Sequence, residues 1–208
     1  MKQLSILTIA LGGVLCCTVS RADITSISYA DVGDGAFTIT PYSWTGDAAS
    51  WTCPVNGAQF WGPGRVEGTI TADTAADPIV TLANQIVNDS TFAWTLYDVN
   101  VYLSQNFTLS AVDVTLPPDW TVSSVTQPTL VNSPLGAYEA QMVFSSGTPV
   151  QVGQELDFNY SFSFTGATSY SFTQEVIPVP EPAIFGLMPV GALLWGGFMA
   201  GLRRKRIS

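Results

Sequence analysis

The sequence predicts an all-β fold, an antiparallel β-sandwich followed by a single C-terminal transmembrane helix. Three observations carry that prediction. Apolar and polar side chains alternate with a period of two through residues 23–177; turn-forming Gly, Pro, Asn and Asp recur about every ten residues; and residues 183–202 form one charge-free run of twenty. The 208 residues thereby divide into a signal (1–22), an exported domain (23–177), a proline-rich linker (178–182), a membrane span (183–202) and a basic tail (203–208).

The first segment reads as a secretory signal that signal peptidase removes. Lys2 supplies the positive start, residues 4–15 the short apolar core, and Ser20 and Ala22 the small residues that the peptidase inspects before it cuts after Ala22, so that Asp23 becomes the new N-terminus. Cys16 follows Leu15 and Cys17 follows another cysteine, so neither suits the acylated cysteine of a lipoprotein.

In the domain, strands are expected at 24–29, 36–40, 66–72, 79–87, 107–115, 120–126, 138–145 and 154–165. Phe92, Trp94 and Leu96 set one face of a further strand and Val99, Val101 and Leu103 hold the opposite phase, which calls for a bulge, or a strand changing partners, between Leu96 and Val99. Tyr160, Phe162 and Phe164, then Gly166-Ala167-Thr168, then Tyr170 and Phe172 read as a hairpin with one aromatic face. From Thr173 onward the chain reads as a linker. Leu116-Pro117-Pro118-Asp119-Trp120 is a rigid turn, similar to a connection in immunoglobulin-like bacterial surface modules, and the sandwich is expected to be immunoglobulin-like or jelly-roll-like.

Charge excludes several functions. The chain has 7 Lys and Arg, 16 Asp and Glu, and no His. All sixteen carboxylates lie between Asp23 and Glu181, where Arg65 is the single base, a net charge of −15. Without His there is no Ser-His-Asp or Cys-His catalysis and no His-ligated metal; without cations there is no grip on a nucleic-acid backbone. No carboxylate pair is singled out for hydrolysis, so the domain is expected to be non-enzymatic and to need no cofactor. After signal removal only Cys53 remains, expected buried in preference to paired between chains.

Two segments are candidate binding sites. Residues 41–64 collect Tyr42, Trp44, Trp51, Phe60 and Trp61 with Asp47, Asn56 and Gln59, a composition suited to stacking on sugar rings and accepting their hydroxyls, with extracellular polysaccharide as the partner. The same rings can fill the core, their commoner use in a sandwich. Asp31-Val32-Gly33-Asp34-Gly35 offers oxygens to calcium but lacks the alternation of an EF-hand loop, and reads more readily as a turn.

Pro180-Glu181-Pro182 precedes the apolar run, and Arg203, Arg204, Lys205 and Arg206 follow it. The two prolines hold Glu181 extended, and the basic cluster keeps the tail cytoplasmic, leaving the domain outside. This order resembles the PEP-CTERM sorting signal of bacterial surface proteins over residues 179–208. The resemblance implies processing by exosortase at a recognition element made of Pro180, Glu181 and Pro182, with Arg203–Arg206 as the retention cluster. It further implies a Gram-negative envelope, transient anchoring in the inner membrane, and a final place at the cell surface or in the extracellular matrix.

Overall fold

The computed structural model describes residues 23–32, 35–40, 43–47, 50–73, 79–164 and 166–181. The expected signal, Gly33, Asp34, Tyr42, Pro182, the membrane span and the basic cluster lie outside the described residues. Twelve strands follow in order: β1 (Ile24–Asp31), β2 (Phe37–Thr40), β3 (Thr45–Asp47), β4 (Ser50–Gln59), β5 (Gly64–Ala72), β6 (Ile79–Asn88), β7 (Trp94–Leu103), β8 (Phe107–Leu116), β9 (Thr121–Ser133), β10 (Gly136–Val150), β11 (Glu155–Phe164) and β12 (Ser169–Pro180). The described residues contain no helix.

The strands form two sheets, ordered β1-β5-β12-β7-β10-β9 and β2-β4-β6-β11-β8, with β3 on β4 beside β2. All pairings are antiparallel except β4–β6, which is parallel, so the second sheet is mixed where an antiparallel one was expected. Alternate residues face inward: Tyr170, Phe172, Gln174 and Val176 from β12 in the first sheet, and Leu156, Phe158, Tyr160, Phe162 and Phe164 from β11 in the second, all buried. The Phe172 ring lies over Gly68, where a β-carbon would meet the ring and the Ser28 carbonyl. Cys53 is fully buried and unpaired, and burial pushes its thiol up to about 12.

Three sequence expectations change. β11 and β12 are not a hairpin: after Gly166 (φ +87°) the chain crosses to the opposite sheet, and the two aromatic rows meet across the core where the Phe164 and Tyr170 rings contact each other at a tilt of 43°. Alternation reports which face is buried, and it is the same for a hairpin and for two strands facing each other. The irregularity in β7 falls earlier than Leu96, since Val179 pairs with Leu96 while Pro180 pairs with Trp94. Thr95 is the extra residue, and it allows Trp94 and Tyr97 both to turn inward. Finally, β12 runs to Pro180 through the segment read as linker, flanked by β5 and β7.

Two buried glutamines join the sheets. Gln174 (β12) accepts the Tyr160 hydroxyl of β11 at 2.6 Å and donates to Asn84 Oδ1 of β6 at 2.9 Å. Gln59 (β4) accepts the Tyr97 hydroxyl of β7 at 2.5 Å and donates to the Gly62 and Val176 carbonyls at 2.6 and 3.3 Å. Burial also holds both tyrosine hydroxyls well above the usual phenol range, so they stay neutral donors.

Gln174→Leu orphans the Tyr160 hydroxyl and the Asn84 oxygen, and is expected to cost about 2–4 kcal/mol in urea unfolding of residues 23–181. Adding Tyr160→Phe to it should recover part of that loss, because one orphaned group is gone. A double variant weaker than Gln174→Leu by the full Tyr160→Phe cost would show that the two side chains act independently.

Candidate functional site

The two ends of the sandwich differ. Asp23 lies at one end, where its amide donates to Asp73 Oδ1 at 2.8 Å; Glu181 leaves from the other. At this exit end β1–β2, β4–β5, β6–β7, β8–β9 and β10–β11 connect, and each connection passes from one sheet to the other.

A chain of hydrogen bonds links these connections. Val32 N–H donates to Arg65 O at 2.9 Å and Phe60 N–H to Ala36 O at 2.8 Å, tying the first connection to the second. Asp89 N–H donates to Gln59 O at 3.0 Å, tying the second to the third. Asn88 donates its backbone N–H to Gln154 O and accepts from Gly153 N–H, while its side-chain amide donates to Phe92 O and Val150 O, both at 2.9 Å. Ser90 N–H donates to Asn88 Oδ1 at 3.0 Å, and the Trp94 indole N–H reaches Ser90 Oγ at 3.2 Å. Trp120 fastens the cis Leu116-Pro117 turn by donating to Thr148 O at 2.8 Å.

Pro180 and Glu181 lie among these connections. Glu181 N–H donates to Ala93 O at 3.0 Å, so the last described residue is still bonded to the sheet. By the two-residue alternation of a strand, the nitrogens of Pro178 and Pro180 point to the β5 side, where β5 pairing has already stopped at Gly64 opposite Val176. The missing N–H groups therefore cost no ladder bond, which is how a strand in the interior of the sheet order accommodates two prolines. The backbone at Pro180 is extended as the sequence led one to expect, but the sheet holds it. Glu181 itself is exposed.

The expected aromatic platform is divided. Trp44 and Trp51 lie at the Asp23 end, edge to face with centroids 4.7 Å apart and an interplanar angle of 67°, half-buried against the core. Trp51 also covers Gly46, where a β-carbon would lie 2.6 Å from the ring. Phe60 and Trp61 stand at the exit end, 38% and 48% exposed. Between the pairs runs β4, ten residues and so roughly 30 Å of extended chain. The loop reading missed this strand because Pro54, Gly57 and the flanking glycines mimic loop composition. Gln59 is a core amide, and Asn56 donates to Gln85 Oε1 at 2.8 Å across the second sheet. Of the calcium candidate, Asp31 ends β1, exposed; no cluster of three metal-ligating side chains occurs among the described residues.

Behind the exit loops, Asp98 pairs with Ile177 and Asp157 with Leu116. Each has one buried oxygen without a hydrogen-bond partner. Burial raises both carboxyls above the ordinary range; nearby Glu155 adds to the shift at Asp157, opposed by a hydrogen bond from Gln85.

No protein-family model, curated protein or solved structure matches the chain.

Because Asp98 and Asp157 bind protons more tightly folded than unfolded, their contribution to stability is full below the ordinary carboxylate range and is lost as pH rises through their raised values. Urea midpoints for residues 23–181 should accordingly fall as pH rises from about 4 towards neutrality. The Asp98→Asn/Asp157→Asn double variant should lose part of that dependence and gain stability at pH 7. An unchanged profile would assign the dependence to the remaining carboxylates.

Proposed function

We propose that the protein is a non-enzymatic bacterial cell-surface or extracellular-matrix protein. Its β-sandwich is exported by the N-terminal signal, held in the inner membrane by a C-terminal helix over 183–202 with the tail in the cytoplasm, and processed by exosortase at Pro180-Glu181-Pro182. The single observation that carries the reading is the order of these parts in the sequence: an exported acidic domain, Pro-Glu-Pro, a twenty-residue apolar run and then Arg203, Arg204, Lys205 and Arg206. The fold supports it in one respect: the last strand ends at Pro180, and Glu181 is exposed.

The recognition element has two separable parts, a charge and a stiff backbone. Glu181→Gln removes the charge with little change of shape, and since Glu181 is exposed the fold should survive it. In a host with active exosortase, Glu181→Gln should accumulate the unprocessed form, seen as a higher mass of the cell-associated product, with signal cleavage unaffected. Normal processing of Glu181→Gln together with failure of Pro182→Ala would assign recognition to backbone shape. Replacing Arg203, Arg204, Lys205 and Arg206 together with Gln should release the domain or disturb its processing; an unchanged membrane-bound fraction would oppose the retention role.

A further inference from the structure

The exit end also carries most of the exposed apolar surface. Among the described residues nine large apolar side chains are exposed, and five of them, Val32, Phe60, Trp61, Leu116 and Val152, lie on the exit-end connections or at the last residue of the strand leading into one. Trp61 and Val152 stand out furthest, at 48% and 56%. Cis-Pro117 and Pro118 extend the apolar rim beside Leu116, at a shallow hollow of about 590 Å³ that Asp119, Thr148, Gln154 and Glu155 also line.

We propose that this end docks on the lipid bilayer, with its loop tips at the level of zwitterionic headgroups around the point where the chain enters the membrane. The inference rests on the membrane-span reading above. Its occupant follows from where the chain goes. Glu181 is still hydrogen-bonded to the sheet, and only Pro182 separates it from the apolar run that starts at Ala183. One residue spans about 3.5 Å, so the end face cannot stand clear of the surface. Trp and Phe favour the headgroup layer, where an apolar ring body and, for Trp, a polar edge are both accommodated.

Charge selects the lipid. Asp31, Asp89, Asp119, Glu155 and Glu181 occupy the same end, with Arg65 the single base among the described residues, so an anionic surface is repelled. The free domain should therefore bind membranes weakly. The tether supplies the missing affinity as effective concentration, and the hydrogen-bonded loops hold their tips in place before docking, which lowers its entropic cost.

The mature full-length chain, reconstituted in phosphatidylcholine vesicles with and without brominated acyl chains, tests this. Single-cysteine variants Trp61→Cys and Val152→Cys, with Leu130→Cys on β9 as the distant control, take an environment-sensitive fluorophore; Cys53, with no exposed surface, does not react. Labels at 61 and 152 should shift their emission to shorter wavelength and lose intensity in brominated vesicles, while the label at 130 does neither. Equal, weak quenching at all three sites in protein that resists alkaline carbonate extraction overturns docking and leaves the span reading standing. A label at 61 or 152 that shifts without bromine quenching assigns the patch to a protein contact and overturns docking too. Extraction of the protein by carbonate overturns both readings.

Discussion

An amide buried between two sheets must find partners for its donor and its acceptor, or lose about 1–3 kcal/mol for each group left dry. Gln59 and Gln174 meet that demand only when the sheets stand in one relative position. Gln174 needs Tyr160 and Asn84 from the facing sheet, and Gln59 needs Tyr97 from the facing sheet as well as the Val176 carbonyl. Apolar contacts alone tolerate sliding, since one ring can pack against several neighbours. The amides remove that freedom and determine which ends of the strands face each other.

The geometry of the exit end follows. With Val176 bound by Gln59, the last residues of β12 are aligned with Trp94 and Ala93, and the bulge at Thr95 brings Trp94 inward onto Ser90. Asn88 then joins the β6–β7 and β10–β11 connections. The result is a set of loops cross-linked by hydrogen bonds around the departing chain, with apolar side chains among those exposed at their tips. Order at this end thus comes from polar contacts, and the Phe60, Trp61 and Val152 side chains stay exposed.

Strand positions were legible because alternation is a local signal: nine of the twelve strands lie where the period put them, and β12 starts there but runs on through the segment read as linker. Partners were not legible. Tyr160 and Tyr170 carry the same pattern whether β11 and β12 pair side by side or face each other across the core. β4 was hidden by Pro54 and Gly57, although Trp51, Cys53 and Val55 do alternate within it. That omission also explains the site: a cluster of tryptophans in 24 residues of sequence reads as one surface until a ten-residue strand is placed between them. Gln59 reads from the sequence as a candidate sugar contact and Gln174 as part of a linker, and nothing local marks an amide whose partners lie on other strands. The Pro-Glu-Pro element was legible as a motif, but its attachment to the sheet depends on where β5 stops and β7 begins.

The central claim is that the fold grips the chain up to Glu181, one residue short of the apolar run proposed as a membrane span. Amide hydrogen exchange at Glu181 in the intact protein measures it most directly. The account predicts protection of that N–H well above the rate of an unstructured peptide, and loss of protection when Ala93-Trp94 is displaced by Trp94→Gly. Exchange at the free-peptide rate while the amides of β7 and β12 up to Ile177 stay protected would contradict it, and would mean that a flexible tether separates the sandwich from the proposed span.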